Sequence, residues 1–264
     1  MLMSKILPTL LALCLCVVAM YAYAAPPAPA TAPVDPREPE PADASLIPVT
    51  PRTGWFAHDP PAWRGWHESL VRRAAEGNCD LLFLGDSITQ HWSDVPELFA
   101  ERFGPYRPLN LGIGGDATQQ LLWRIDHGAL DGLSPQLVVL MIGTNNLWNG
   151  KVPPAAIGAG VDAVLAKVHA KLPKAQILLL GVPPNQRRVD NGMRQRVRDV
   201  NVHVARLAER PGVVRYLDIT DALCEPDGTL SEQVSADQVH LTSEGYRRWA
   251  AIMGPVIEEL LAHP

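Results

Sequence analysis

The chain has 264 residues, 47% of them hydrophobic, which is enough apolar material to form one large domain or two small ones. Its formal net charge is −5 at pH 7, and cleavage of a leader containing Lys5 would change this to 22 − 28 = −6. Nucleic-acid binding depends on positive charge facing phosphates, and this chain has no basic run to provide it. We therefore expect no nucleic-acid partner.

Residues 1–24 have the pattern of a secretion signal. Lys5 precedes an apolar stretch at 6–20, and Ala22-Tyr23-Ala24 offers a cleavage site with small residues at both ends. The stretch is shorter than the about 20 residues that span a bilayer comfortably. We therefore predict a cleaved signal peptide, a periplasmic or secreted protein and no stable membrane insertion, with an uncleaved anchor as the alternative.

Residues 25–52 are predicted to form a Pro-rich linker. Nine prolines occur between residues 26 and 51, among Ala, Thr and acidic residues, and such a segment buries too little apolar surface to offset its ordering entropy. The folded domain is expected at 53–264. After signal cleavage only Cys79 and Cys224 remain, so one disulfide is possible but a disulfide framework is excluded.

From residue 79 onward, short apolar runs alternate with longer helical patterns, which is typical of an open parallel sheet covered by helices on both faces. Five compact apolar runs bounded by Gly, Pro, Asn or Asp predict strands at 81–85, 108–111, 137–142, 177–180 and 213–217. Helices are predicted at 95–102, 118–127, 154–171, 193–209 and 243–261, the last capped by Thr242. The expected fold class is α/β, with three α/β/α layers.

Unusual polar residues follow several of these strands. They form four blocks, Gly85-Asp86-Ser87, Gly112-Ile113-Gly114-Gly115-Asp116, Gly143-Thr144-Asn145-Asn146 and Asp237-Gln238-Val239-His240. Ligands of open α/β sheets bind outside the carboxyl ends of the strands. We therefore expect the four blocks to converge into one site.

Ser87 is the candidate nucleophile, because it follows a buried strand and a glycine that permits a tight turn. A serine hydroxyl needs a base to accept its proton, and His240 lies in a polar loop before the last helix. Asp237, three residues earlier, can hold the other ring nitrogen and stabilise the imidazolium. The sequence thus predicts Ser87, Asp237 and His240 as catalytic residues.

The negative charge that develops on an attacked ester needs hydrogen-bond donors. Three candidates form the predicted oxyanion hole: the backbone amides of Ser87 and Gly115 and the side-chain amide of Asn145. Asp86 is expected to brace the turn that carries Ser87, and His91 to lie at the rim. Trp148, two residues after Asn146, is the candidate wall of the substrate pocket.

These blocks resemble the four sequence blocks of the SGNH (GDSL-type) hydrolases, in the family's order, over roughly residues 79–262. Ile88 stands where the family's G-D-S-L motif has Leu. The run from Asn110 to Arg124 looks most like the platelet-activating-factor acetylhydrolase catalytic-subunit group. The resemblance implies a flavodoxin-like sheet, the catalytic and oxyanion residues named above, and no metal or organic cofactor.

Members of this group act on acetylated lipids, sugars and other small esters. For an exported member we expect a small acylated substrate, an O-acetylated saccharide, cleaved through an acyl-enzyme intermediate. A lysophospholipase or thioesterase, and a catalytically silent carbohydrate-binding protein, are the alternatives. The sequence predicts no particular oligomeric state.

Parts of the sequence also fit two other kinds of site. Gly112-x-Gly114-x-x-Ala117 fits a dinucleotide fingerprint, but no acidic residue ends the next strand. Asp86, Asp116, Asp237 and His240 could be taken for a two-metal phosphoesterase cluster. The metal site is disfavoured because other histidines of the chain fall in helical patterns rather than in loops at strand ends; these are His127, His169 and His203.

Several tryptophans are expected to have structural roles. An aromatic cluster before the first strand, Trp55, Phe56, Trp63 and Trp66, is expected to pin the N-terminal segment onto the domain. Trp123 and Trp249 lie within helical patterns and are expected in the core.

Overall fold

Five parallel strands form the centre of the fold. They are β1 (Leu81–Gly85), β2 (Pro108–Asn110), β3 (Leu137–Met141), β4 (Gln176–Leu180) and β5 (Val214–Leu217), and their order in the sheet is β2-β1-β3-β4-β5. The computed structural model describes residues 60–77, 79–148, 152–209 and 214–263. The predicted signal peptide and linker lie outside the described residues.

Nine helices are described around the sheet: α1 (Pro60–Ala75), α2 (Ser87–Gln90), α3 (Pro96–Phe103), α4 (Thr118–Asp126), α5 (Thr144–Trp148), α6 (Pro154–Lys171), α7 (Gly192–Ala205), α8 (Thr220–Leu223) and α9 (Ser243–Ala262). Short 3-10 segments occupy His91–Asp94, Gly104–Tyr106 and Arg206–Glu209. The part of the predicted 193–209 helix beyond Ala205 is one of these tighter turns.

The two faces of the sheet carry separate hydrophobic clusters, because successive side chains of a strand point to opposite faces. Leu82 and Leu84 of β1 belong to the cluster that also contains buried residues of α1, α4, α6 and α7. Leu81 and Phe83 belong to the other cluster, with buried residues of α3 and α9. The expected three-layer α/β/α architecture is confirmed.

The strand order places the topological switch point at β1. This strand pairs in parallel with β2 on one side and β3 on the other, with Leu81 opposite both Pro108 and Leu137. A crevice opens at the carboxyl ends of strands where the chain direction reverses in this way. The loops after β1, β2 and β3 therefore border one crevice, as expected for a flavodoxin-like sheet.

Helix α1 holds the chain before β1 against the domain. Trp63 and Trp66 pack against the first hydrophobic cluster, as predicted, whereas Trp55 and Phe56 lie outside the described residues. Trp249 is fully buried, as predicted. The core assignment of Trp123 is wrong: its ring is only half-buried, because it lies in a surface aromatic group between Trp63 and His127.

Two further properties of the described residues concern membrane insertion and the cysteines. None of their helices combines the length and the apolar character needed to cross a membrane. Cys79 and Cys224 are both free thiols, and burial raises the pKa of Cys79 to about 11.

Candidate active site

Ser87 begins helix α2, immediately after β1. Asp86 caps this helix: its carboxylate accepts a hydrogen bond of 3.0 Å from the Ile88 amide. A Cβ on Gly85 would lie 2.2 Å from Thr89 Oγ1 and 2.4 Å from the Met141 carbonyl oxygen, so only glycine fits there. The turn that presents Ser87 thus depends on close packing of α2 onto the sheet.

A chain of hydrogen bonds links Ser87, His240 and Asp237. Ser87 Oγ lies 2.9 Å from His240 Nε2, and His240 Nδ1 lies 2.7 Å from Asp237 Oδ2. Because the Asp237 carboxylate can only accept a hydrogen bond, His240 carries its ring proton on Nδ1. Its Nε2 is then free to accept a hydrogen bond from the Ser87 hydroxyl. Ser87 and His240 are 153 positions apart in the chain.

The surroundings of Asp237 favour its ionised form. Partial burial tends to raise its pKa, but hydrogen bonds from the His240 ring and from the amides of Val239 and His240 outweigh it, so the pKa lies below the usual value. Its Oδ1 accepts those two amides at 2.9 and 2.7 Å. Gln238, between them, has a left-handed backbone with φ of 70°, which turns His240 back toward Asp237.

The loop carrying His240 is fixed on two sides. Thr242 caps α9, as predicted, by accepting the Gly245 amide with its hydroxyl. On the other side, Gln238 accepts the Gln186 amide with its carbonyl oxygen at 2.9 Å and the Arg187 amide with its side chain at 3.1 Å. The loop after β4 therefore supports the loop that carries His240 through its backbone amides.

The glycine-rich block lies against α2. A Cβ on Gly112 would come within 2.4 Å of the Gln90 amide nitrogen, and Gly114 donates its amide to Gln90 Oε1 at 2.6 Å. Asn110 Oδ1 accepts the Gly112 amide at 2.9 Å. Gly115 has a φ of 80°, a conformation that favours glycine.

Asn145 lies in the first turn of α5, after β3. Its Nδ2 donates one hydrogen bond, 2.8 Å long, to the backbone carbonyl oxygen of Asp116. An amide nitrogen carries two hydrogens, so one donor of Asn145 is left for a ligand. The neighbouring Asn146 is buried and accepts the Thr118 amide at 3.1 Å, which holds the start of α4.

Asp86 and Asp116 are both fully buried. Burial raises the pKa of Asp86 to about 7 and that of Asp116 to about 6, although Arg124 opposes the second shift. Asp116 forms an ion pair with Arg124 at 2.6 Å. Among the described residues, these acids do not gather with Asp237 and His240 into a group that could hold a metal ion.

His91 lies closer to the site than a rim position implies. Its ring centroid is 4.9 Å from that of His240. Partial burial lowers the pKa of His91, and the positive charge that His240 can carry acts in the same direction against the opposing effect of Asp94. A neutral His91 therefore faces the His240 ring at neutral pH.

Trp148 ends helix α5 and is exposed, with 43% of its surface accessible. It occupies the same short helix as Asn145, and its indole is open to solvent. Its predicted contact with substrate stays a prediction.

Sequence reasoning missed several residues that position the site. Gln90, Asn110, Arg124, Asn146 and Tyr246 each hold a backbone group of one of the four blocks or of its neighbours. Arg124 did carry a signal, since it lies on α4 among the apolar residues Leu121, Leu122 and Ile125. Gln90, Asn146 and Tyr246 have partners distant in sequence. Asn110 accepts the amide of Gly112, two positions on, and also donates to the distant Thr89 carbonyl oxygen.

Comparison with known proteins identifies the family of the chain. Residues 83–248 match the GDSL-like lipase/acylhydrolase family. The chain is 32% identical over 199 residues to the rat platelet-activating factor acetylhydrolase IB subunit alpha2, covering 75% of this chain and 85% of the relative. The human alpha1 subunit is 33% identical over 201 residues, covering 76% and 84%.

Solved structures show the same fold. A GDSL-like lipase from Bacteroides thetaiotaomicron aligns with a TM-score of 0.60 at 20% identity, over 75% of this chain and 97% of that one. An acetylxylan esterase from Geobacillus stearothermophilus aligns with a TM-score of 0.56 at 21% identity, over 68% and 93%. The resemblance found in the four blocks is confirmed, and the chain belongs to the GDSL-like lipase/acylhydrolase family.

Proposed function

We propose that the protein is an exported serine esterase that removes acetyl or similarly short acyl groups from oxygen esters, with O-acetylated carbohydrate as its substrate class. The observation that carries the proposal is the hydrogen-bond chain from Ser87 through His240 to Asp237. Membership of an acylhydrolase family supplies the reaction class.

Acylation begins at Ser87. Its Oγ attacks the carbonyl carbon of the ester while His240 Nε2 takes the hydroxyl proton. Asp237 stabilises the imidazolium through the Nδ1 hydrogen bond. The tetrahedral intermediate then collapses, His240 returns the proton to the leaving alcohol, and the acyl group stays on Ser87.

The developing oxyanion is stabilised by three donors. The Ser87 amide, at the first position of α2, has no partner within its own helix. The remaining Asn145 hydrogen and the Gly115 amide complete the set. Water, deprotonated by His240, then attacks the acyl-enzyme carbonyl, and the acid leaves as Ser87 recovers its proton.

Two observations favour a carbohydrate ester. The predicted signal peptide would bring the enzyme to cell-wall or environmental glycans, and the exposed Trp148 indole offers an apolar face for a sugar ring. The acetylxylan esterase that shares the fold acts on such a substrate according to its name.

An acetylated lipid is the second candidate. The curated relatives at 32% and 33% identity are named as platelet-activating factor acetylhydrolases, and this identity exceeds that of the acetylxylan esterase. Both candidates share an acetyl ester and the same catalytic residues, and they differ in the alcohol that leaves.

The first experiment measures hydrolysis of p-nitrophenyl acetate, butyrate and octanoate by the mature protein, with and without EDTA. We expect a preference for acetate, no effect of EDTA and loss of activity in Ser87→Ala. Ser93→Ala, which changes an exposed serine six positions away, should keep wild-type activity. Release of acetate from acetylated xylo-oligosaccharide and from an acetylated ether phospholipid then separates the two substrate classes.

Specific outcomes contradict each part of the proposal. An inactive wild type, or a fully active Ser87→Ala, would favour a carbohydrate-binding protein or another catalytic centre. A preference for octanoate would favour a lysophospholipase or thioesterase. Export is tested by fractionating the producing cells and determining the N-terminus of the mature protein, expected near Ala25.

A further inference from the structure

The carboxylate of Asp116 is held by two side chains in a fully buried position. Trp63 Nε1 donates to Oδ1 at 2.8 Å, and Arg124 Nη1 donates to Oδ2 at 2.6 Å. The side chains of Asp116 and Arg124 both have 0% exposure. Arg124 Nη2 also donates to the Leu111 carbonyl oxygen, so one arginine fixes both ends of the glycine-rich block.

The backbone of Asp116 contacts Asn145, another candidate oxyanion donor. Its carbonyl oxygen accepts the hydrogen bond from Asn145 Nδ2 at 2.8 Å. Gly115, whose amide is the second candidate oxyanion donor, directly precedes it. The orientation of Asp116 therefore determines where two of the three proposed donors point.

Trp63 belongs to the helix that precedes the sheet. The match to the acylhydrolase family begins at residue 83, whereas Trp63 lies on α1, before the sheet. The Trp63 ring packs against the Trp123 ring, with 5.2 Å between their centroids. Trp123 lies on α4, the helix that also carries Arg124. Helix α1 thus reaches the loop of the proposed oxyanion hole through the hydrogen bond of Trp63.

A buried carboxylate that loses a donor must find another or be protonated. Burial already raises the pKa of Asp116, to about 6, so its charge depends on the donors that remain. Without the indole, Oδ1 would compete for backbone amides of the adjacent turn. Such competition would reorient the peptide groups on either side of Asp116.

We propose that Trp63 and Asp116 are positioning residues for the oxyanion hole, with the indole of α1 holding the Asp116 carboxylate so that its carbonyl group and the Gly115 peptide orient the donors. The inference rests on the esterase chemistry proposed above. Neither side chain touches the reacting atoms.

The test compares Trp63→Phe with wild type in turnover and in affinity for a boronic acid. The phenyl ring keeps much of the packing and removes the donor. We expect kcat for p-nitrophenyl acetate to fall about tenfold with KM nearly unchanged, since the lost interaction is one made in the transition state. A boronic acid forms a tetrahedral adduct with Ser87 Oγ, and its inhibition constant should rise by a similar factor.

The boronate separates positioning from general damage. Partial unfolding would lower the amount of active enzyme without changing the inhibition constant of the folded fraction. Trp66→Phe is the matched control, because Trp66 lies on the same helix and packs against the same hydrophobic cluster. It should leave both kcat and boronate affinity at wild-type values.

A second variant and a double mutant complete the test. Asp116→Asn keeps an acceptor for Trp63 but loses the charge that pairs with Arg124, and should weaken boronate binding as well. Asn145→Ala alone should lower kcat by about 10²- to 10³-fold. Trp63→Phe combined with Asn145→Ala should cost less than the product of the two single effects, because Trp63 acts partly through Asn145.

Unchanged boronate affinity in both Trp63→Phe and Asp116→Asn would overturn the proposal, as would strictly multiplicative effects in the double mutant. Failure of the esterase proposal looks different. A wild type that binds boronate at Ser87 but hydrolyses no ester would sink that proposal while the boronate comparison still tests positioning. A wild type that does neither would overturn both.

Discussion

The hydroxyl of Tyr246 donates a hydrogen bond of 2.7 Å to the carbonyl oxygen of Ile88. Tyr246 lies in the first turn of α9, six residues after His240, and Ile88 directly follows Ser87. This buried bond joins the helix that follows the proposed base to the helix that carries the proposed nucleophile. It fixes their separation independently of the bond between Ser87 and His240.

Tyr246→Phe should therefore reduce both stability and turnover. Removal of the hydroxyl leaves the Ile88 carbonyl oxygen buried without its partner, which costs about 1–3 kcal/mol of unfolding free energy. Urea unfolding and kcat for p-nitrophenyl acetate measure the two effects. Tyr106→Phe is the control, since Tyr106 packs against the same hydrophobic cluster and should change neither quantity strongly. A Tyr246→Phe variant as stable as wild type would contradict this prediction.

Asp237→Asn should lower kcat by about 10³- to 10⁴-fold, because an amide can favour the wrong tautomer of His240 and cannot stabilise the imidazolium. Folding should be nearly unaffected, as the side chain is more than half exposed. Asp227→Asn is a matched control: Asp227 accepts the amide and hydroxyl of Thr229 in a similar turn but does not contact the histidine. A less than tenfold loss in Asp237→Asn would show that Asp237 is dispensable.

Asp86→Asn should change how stability depends on pH. Burial raises the pKa of Asp86 to about 7 in the folded protein, from an ordinary value of 3.8. Between pH 4 and 7 the folded state therefore holds a proton that the unfolded state has lost. The contribution of this group to stability is present at low pH and is lost as pH rises through 7.

The wild type should accordingly lose stability over pH 5 to 7 more steeply than Asp86→Asn, by up to about 1.4 kcal/mol per pH unit. Asparagine keeps an acceptor for the Ile88 amide, so the cap on α2 should survive. Urea unfolding at several pH values measures the two slopes. Parallel pH profiles would mean that Asp86 is ionised in both states.

Gly112→Ala should impair folding and activity together. The added methyl group would meet the backbone of Gln90 at 2.4 Å, where no flexible side chain can move away. Such overpacking typically costs about 1–3 kcal/mol and would push the glycine-rich block off α2. Gly104→Ala, where nothing lies within 4 Å of the new Cβ, should be close to neutral in both thermal unfolding and kcat. Equal behaviour of the two variants would refute the close-packing argument.

The strands were predictable from sequence because each buried parallel strand is a continuous apolar run between turn residues, as in Leu81–Gly85. The short helices α2, α5 and α8 were missed, since four or five residues carry no helical periodicity. Helix α1 was not predicted, although its tryptophans were expected to pack the N-terminal segment onto the domain. It contains several arginines and no long apolar stripe, so tertiary packing rather than periodicity reveals it.

The four blocks of the site could also be identified from sequence, because functional residues follow the strand ends in a parallel sheet. Their supports could not. The bond from Asn145 to the Asp116 carbonyl and the ion pair of Asp116 with Arg124 depend on how loops fold against each other. No local pattern specifies a backbone carbonyl as partner.

The separation of 153 residues between Ser87 and His240 has a consequence for biosynthesis. A growing chain contains the proposed nucleophile as soon as β1 is complete, but the proposed base follows only after all five strands, just before α9. The proposed triad therefore cannot assemble until nearly the whole domain has been synthesised. A chain truncated between β5 and His240 would contain the complete sheet and Ser87 but would lack the base.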